Sequence, residues 1–350
     1  MSWWSKLQRV LMEAEVIVGL LVFGLITMCA DLFADLGQHL TLAAIVRFIG
    51  VAIFIAYVAI ILQQRARILH VPLLFTEETN RQNARNMFEQ FVEAAGIRGS
   101  IRIIESLSSV HQTDLVITLN RNPRNSPNPD DWKAAWEELL REWEREVDRG
   151  LGREPRCYHI LPHVALPLSF ALRASVGLRR RVILYHRQPG QREIFRVLDL
   201  SEDPRQLFQL PSEAKVRPPE QYPLDLQDLP QRDRLLLYLL ITDRHVKDFQ
   251  AQFQLHPDYI YADNVAFAYW GTLNPQQSWL PYVQHLVCAA QPLVNHYRQV
   301  ELCLICPSAI AFALGMAFSR NPFITICDWQ NGRYVPVFSL KEIEKRLAFD

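Results

Sequence analysis

Two apolar, strand-like runs end in proline and hand over to helical patterns. Tyr158-His159-Ile160-Leu161-Pro162 leads to a helix containing Phe170-Ala171-Leu172, and Cys303-Leu304-Ile305-Cys306-Pro307 leads to one that begins at Ser308. The first turn of such a helix offers unpaired N–H groups and the positive end of the helix dipole, which is the chemistry of holding an anion. Bond-breaking chemistry finds less support. There is no G-x-S-x-G, H-E-x-x-H or P-loop. Asp131-Trp132-Lys133 imitates the D-x-K of restriction-type nucleases, but the triplet opens a Trp-rich amphipathic helix where that chemistry needs a strand. Cys303 and Cys306 form a C-x-x-C, yet on a strand this spacing puts the sulfurs on opposite faces, and no second pair follows at zinc-finger spacing. No catalytic residue, metal or cofactor is expected.

The elements that position these prolines form a repeat. After the helices, Val182-Ile183-Leu184-Tyr185-His186 matches Phe323-Ile324-Thr325-Ile326-Cys327, and Ile194-Phe195-Arg196-Val197-Leu198 matches Tyr334-Val335-Pro336-Val337-Phe338. Upstream, 115–119 is laid over 235–241. The first is followed by Asn120, Arg121 and Asn122, the second by Thr242, Asp243, Arg244 and His245. Each copy then passes through a Trp-containing helix. One is capped by Asp130 and carries Trp132, Trp136, Leu139, Leu140, Trp143 and Val147 on one face; the other covers about residues 276–297, where Pro281 and Pro292 kink or interrupt it. Residues 71–97 read as a linker helix ended by Gly96, Ile101-Arg102-Ile103-Ile104 as a short strand, and 216–230, with four prolines, as a linker without regular structure.

The expected fold class is therefore α/β: two β-α-β-α-β-β halves, 98–215 and 231–350, with mostly parallel sheets and helices on both faces. Ligands of such folds sit at the carboxyl ends of the strands, so an anion held between two pseudo-equivalent halves is the physical expectation.

Charge divides the chain differently. The 37 basic and 37 acidic residues cancel, which excludes a bulk electrostatic grip on duplex nucleic acid, but only nine of them lie in residues 1–70. Residues 40–62 carry the single charge Arg47, and 16–30 carry none. With ends extended, spans at about 14–33 and 40–62 are each long enough to cross a bilayer as a hairpin. Lys6, Arg9, Arg65 and Arg67 flank one side and Asp31 and Asp35 the turn, so the positive-inside rule keeps both ends and the bulk of the chain in the cytoplasm. A cleaved signal peptide fits less well, because Glu13 and Glu15 interrupt the apolar run and no A-x-A site follows. Arg47 either snorkels or pairs with Asp31, or it lines a polar seam between assembled hairpins. Ala52 and Ala56 have the small-x-x-x-small spacing of a packing face.

The C-terminal stretch Cys306-Pro307-Ser308, Phe312-Ala313-Leu314-Gly315, Cys327-Asp328-Trp329 and Tyr334-Val335-Pro336-Val337 resembles the end of SAVED domains. These are fusions of two CARF-like (Rossmann-like) units that sense cyclic oligonucleotides in CBASS antiphage systems. With a two-helix hairpin in front, the whole chain resembles a transmembrane SAVED effector. The resemblance implies that a cyclic di- or oligonucleotide made by a CD-NTase cyclase is the activating ligand. It also implies that the chain homo-oligomerises on binding it, and that the clustered hairpins disrupt the bacterial inner membrane in an abortive infection, with no enzymatic step.

Carried onto matching loops, the resemblance implies ligand contacts at Thr242, Arg244, His245, Pro307, Ser308, Asp328 and Trp329, with Pro162 and His163 as first-half counterparts of Pro307 and Ser308. Arg244 would meet phosphate, Ser308 a phosphate or base edge, and Trp329 an adenine face. Each also has a purely structural reading: Ser308 as an N-cap, Trp329 as packing, Arg244 as an ion-pair partner of Asp243 or Asp248. Two further functions stay open at this point, a membrane-anchored sensor that recruits a partner and a membrane-tethered ring nuclease that degrades the messenger.

Overall fold

Among the described residues, nine strand pairings build two sheets, and the apolar runs of the chain supply their inner strands. The computed structural model describes residues 68–107, 115–119, 123–124, 126–151, 156–176, 180–188, 193–211, 216–242, 251 and 253–347. The expected spans at 14–33 and 40–62, with Asp31, Arg47, Ala52 and Ala56, lie outside the described residues, as do Arg244 and His245. Among the described residues no helix is long and apolar enough to cross a membrane.

The first sheet contains β1 (Leu69–Thr76), β2 (Val116–Thr118), β3 (Arg156–His163), β4 (Arg181–Arg187) and β5 (Ile194–Leu200) in the order β2-β1-β3-β4-β5. Its helices are α1 (Arg81–Ala95), α2 (Arg98–Leu107), α3 (Pro129–Glu142), which runs on into a π-helical turn at Trp143–Asp148, and α4 (Leu166–Val176). The second sheet orders β6 (Glu220–Tyr222), β7 (Arg234–Thr242), β8 (Asp263–Trp270), β9 (Gln299–Ile305), β10 (Ile324–Gln330) and β11 (Arg333–Ser339) as β11-β10-β9-β7-β8-β6. It brings α5 (Leu280–His296), α6 (Ser308–Phe318) and α7 (Leu340–Leu347). β5 and β11 run antiparallel to β4 and β10 and close each half with a hairpin.

Four expectations are corrected. Residues 71–97 are no linker helix: 69–76 form β1, inside the first sheet, and only 81–95 are helical, capped by the Asn80 side chain and ended by Gly96 at φ 68°. Pro72 made this run look broken, but β2 pairs only with Leu74 to Thr76, beyond the residue that lacks an N–H. Ile101 to Ile104 are helical, because Ile97, Ile101 and Ile104 are buried at i, i+4, i+7 while Ile103 is exposed. The cap of α3 is Asn128, whose Oδ1 accepts the Asp130 N–H at 3.1 Å. The proline-rich segment 216–230 does hold a strand, β6, which lies between Pro219 and Pro223 and forms the edge of the sheet beside β8.

The repeat is real, but its register differs from the expected one. β1 corresponds to β7 and β2 to β8, because the same backbone bond closes both pairs: Leu119 N–H to Thr76 O and Gly271 N–H to Thr242 O, each 2.9 Å. Residues 115–119 therefore do not match 235–241. Further on, Ile160 beside Leu184 recurs as Leu302 beside Ile326, an offset of 142 residues, and both outer hairpins carry a bulge at the same place. At that offset Pro307 matches Ala165 and Ser308 matches Leu166. Pro162 lies inside β3 and matches Leu304, so Pro162 and His163 are not the counterparts of Pro307 and Ser308.

α4 and α6 lie against each other between the sheets and join the halves. The Ser169 hydroxyl donates to Ser308 O at 2.8 Å, Gly315 abuts the Phe170 backbone, and the Arg173 guanidinium lies 5.8 Å from the centre of the Phe312 ring. From Ser169–Ser308 near the start of each helix to Arg173–Met316 further along, the contacts advance in the same direction, so the helices run side by side with their N-termini at one end. Gly315 and Arg173 occupy matching positions three residues after Phe312 and Phe170. Arg173 is fully buried and directs Nε and Nη2 at Met316 Sδ, 3.0 and 2.7 Å away.

The second sheet also buries a charge cluster. Arg234 pairs with Glu301 and, at 2.9 Å, with Asp258; His256 Nε2 lies 2.7 Å from Glu301 and 3.6 Å from Cys327 Sγ. Burial lowers the His256 pKa, but its hydrogen bonds to Cys327 and Glu301 outweigh this and raise it to about 9.

Two expected outcomes follow. A Cβ at Gly315 would collide with Phe170 O and stand 2.8 Å from its carbonyl carbon, so Gly315→Ala loses about 1–3 kcal/mol or more and lowers Tm by several degrees. Gly99→Ala, with nothing within 4 Å, leaves Tm unchanged or slightly raised; equal Tm values for the two variants would contradict this packing. A His256 pKa raised above 6.5 adds stability that is full below that pH and is lost as pH rises through about 9. The urea-unfolding difference between wild type and His256→Gln therefore shrinks from about 3 kcal/mol toward zero between pH 6.5 and 9.5. A pH-independent difference would show that His256 is not held as a cation.

Candidate ligand site at the seam of the two halves

A connection of two residues, Cys306-Pro307, leads from β9 into α6, so the helix starts directly at the carboxyl edge of the sheet. Pro307 is extended (φ −58°, ψ 144°), and its carbonyl takes the Ile310 and Ala311 N–H groups at 2.9 and 3.1 Å. Among the described residues no side chain caps this end, which leaves the N–H groups of Ser308 and Ala309 as the donors of the first turn. Ser308 is half-buried and does not act as an N-cap.

The neighbouring strands end at the same level. Thr242 closes β7, half-buried. Asp328 and Trp329 occupy the last turn of β10 before its hairpin. Trp329 is 48% exposed and packs in a T-shaped contact with Tyr334, with ring centres 4.9 Å apart at 70°. Burial raises the Asp328 carboxyl pKa, while Gln330, the Trp329 backbone and Arg124 work against the rise. Gln330 Nε2 also donates to Ser126 O at 2.8 Å and so ties this edge to the loop before α3 in the first half.

The matching end of α4 is filled differently. The N–H of Ala165, counterpart of Pro307, donates to Glu77 Oε1 at 2.5 Å, and Glu77 Oε2 is 2.7 Å from Arg124 Nε. An internal carboxylate thus occupies the place that an anionic ligand would take in this half. Glu77 directly follows Thr76, and the residue that directly follows the matching Thr242 is Asp243.

Of the residues named from sequence, Thr242, Pro307, Ser308, Asp328 and Trp329 share the carboxyl edge of the second sheet. His163 is exposed at the end of β3 in the first sheet, whereas Pro162 is buried within that strand. Sequence reasoning missed Glu77, Arg124 and Ser169. Glu77 was hidden because β1, which positions it, was taken for a linker; reading Val71 to Phe75 as a fully buried parallel strand would have exposed it. The charged side chains of the nuclease-like triplet, which opens α3, have partners within the protein. Asp131 accepts the Ser126 hydroxyl at 2.5 Å, and Lys133 pairs with Glu342 of α7 at 2.9 Å. Among the described residues, two clusters elsewhere have metal-binding composition, His70–Cys157–His159 and His256–Glu301–Cys327.

No protein-family model matches the chain, and no curated protein matches it in sequence. Its fold is similar to that of the Acinetobacter baumannii Cap4 SAVED/CARF-domain containing receptor with the cyclic trinucleotide 2'3'3'-cAAA. The TM-score is 0.51 and the identity 12%, over 82% of this chain and 56% of that one. The same receptor with 3'3'3'-cAAA gives a TM-score of 0.47 at 14% identity over 74% and 61% of the two chains. The Moraxella osloensis Cap4 SAVED/CARF-domain containing receptor gives 0.42 at 14% over 83% and 65%. The chain therefore spans less than two thirds of the length of these receptors, and what it has in common with the first of them is the α/β fold of a SAVED/CARF domain.

Proposed function

We propose that residues 70–350 are the sensor of a cyclic oligonucleotide and that the ligand lies across the seam at the carboxyl edges of the two sheets. The observation that carries this reading is the side-by-side, same-direction packing of α4 and α6, which puts two helix N-termini at one edge. The α6 end has no side-chain cap, and an exposed Trp329 stands on the adjoining strand. In this arrangement the N–H groups of Ser308 and Ala309 hold a phosphate, Trp329 stacks a base, and Asp328 accepts from an exocyclic amine or ribose hydroxyl. Thr242 lines the edge, and Arg244 and His245 follow it in sequence. The residues named here bind and orient; none is assigned a role in cleavage.

The fold likeness to a receptor with a cyclic trinucleotide supports this class of ligand. The apolar runs at 14–33 and 40–62 support a membrane hairpin in the inner membrane, with the sensor in the cytoplasm. Ligand then drives the chain from single copies to assemblies, which requires it to bind the assembled form more tightly; a shift from 1:99 to 99:1 needs about 10⁴-fold. The clustered hairpins disrupt the bilayer, and the infected cell stops growing.

Trp329→Ala lowers the affinity of the full chain for cyclic triadenylate about 5- to 150-fold by calorimetry, the effect of losing one stacked base. Unchanged affinity takes Trp329 out of the site. In liposomes that contain only this chain, the ligand releases an entrapped dye and is recovered intact. Assembly without release would leave a sensor that acts through a partner, and conversion of the ligand to linear product would make the chain a ring nuclease.

A further inference from the structure

The first sheet places three soft or borderline ligands together, far from the seam. Cys157 and His159 are two residues apart on β3 and so project from the same face. On the neighbouring strand β1, His70 turns Nδ1 toward His159 Nε2, 2.9 Å away. One ligand atom from each residue, a ring nitrogen of each histidine and the Cys157 Sγ, lies within 4.8 Å of the other two. On the other side of the His159 ring, Nδ1 is 2.9 Å from the Tyr185 hydroxyl. Cys157 and His159 are 3% and 4% exposed, while His70 is half-buried, which leaves one side of the group open to solvent.

We propose that His70, Cys157 and His159 form a binding site for one Zn²⁺, with water as the fourth ligand. Two imidazoles and a thiolate are the donor set zinc prefers, and three protein ligands plus water complete a tetrahedron. Zn–N bonds of about 2.0–2.1 Å place two imidazole nitrogens about 3.3 Å apart, so the pair at 2.9 Å must open by only about 0.4 Å. Tyr185 then does what an outer partner of a ligating histidine does: His159 carries its proton on Nδ1, donates it to the phenol oxygen and presents Nε2 to the metal. The proton balance is simple. Both imidazoles enter neutral, His70 with its one proton on Nε2 and His159 with its one proton on Nδ1, so no proton is lost from either ring, and Cys157 releases its thiol proton to solvent.

The matching cluster of the second sheet is already filled by its own charges. At the repeat offset of 142, Glu301 stands where His159 does and Cys327 where Tyr185 does, so both halves put polar groups at the same place on the sheet. There, however, Glu301 already pairs with Arg234 and faces His256, and Asp258 completes two cations against two anions. A divalent ion would meet the Arg234 guanidinium with no vacancy in charge. In the first sheet the metal would instead join β1, the strand through which the chain enters the sensor from residues 1–67, to the central strand β3.

The test uses the full chain in detergent, purified without chelators, with Zn²⁺ and then Co²⁺ as probes. The expected result is one tight metal per chain, a thiolate-to-cobalt charge-transfer band, and a Tm that rises with Zn²⁺. Cys157→Ser removes the band, and Tyr185→Phe, which keeps the ring, lowers affinity about 10-fold. His70→Gln, at a half-buried position, keeps the fold by circular dichroism and weakens binding. His256→Gln leaves binding unchanged. The proposal is overturned by a cobalt spectrum without the thiolate band, by stoichiometric binding that survives Cys157→Ser, by loss of binding in His256→Gln instead, or by the absence of any tight metal.

Discussion

The pair α4 and α6 touch backbone to backbone at Gly315, where Phe170 leaves no room for a Cβ, and both sheets are hung on this contact. Because the helices run in the same direction, the same packing that buries their apolar faces also sets their positive dipole ends side by side. Each end carries roughly half a positive charge, so the arrangement is unfavourable unless anions meet it. One anion is supplied internally, since Glu77 accepts the Ala165 N–H in front of α4. In front of α6 the chain places Pro307, which has no N–H to offer a carboxylate, and no capping side chain. Among the described residues the α4 end thus has a carboxylate in front of it and the α6 end has none, and this difference is the basis for proposing a phosphate at α6.

The broken symmetry has a counterpart in the packing. Gly315 and Arg173 occupy matching positions, one too small to keep the helices apart and the other long enough to reach across to Met316 and the Phe312 ring. A duplicated fold can keep its axis while each copy takes a different task, provided the substitutions answer each other across the axis. The same holds on the outer faces of the sheets, where His159 and Glu301 share a position but face neutral donors in one half and an ion network in the other.

Much of this was legible in the residues. The Phe-Ala-Leu triplets, the two terminal hairpins and the start of the helix at Ser308 follow from apolar patterning alone. The first strand was not legible, because Pro72 in a run of eight residues reads as a break, and only the short reach of β2 shows why it is tolerated. That omission shifted the repeat by one strand and hid Glu77. The two prolines misled for a different reason: Pro162 and Pro307 look alike in sequence, yet one is a strand residue and the other a helix cap, three positions apart in register. His70 and His159 are 89 positions apart, so no spacing rule links them; only the neighbouring places of β1 and β3 in the sheet do.

The central claim is that the ligand's phosphate sits on the first turn of α6 at the seam. Hydrogen exchange of the full chain, with and without cyclic triadenylate, reads those amides directly. The account predicts slowed exchange in peptides that contain Ser308 and Ala309, together with the adjoining β10 segment around Trp329. Slowing confined to other regions, with the 305–312 peptides unchanged at saturating ligand, would contradict it.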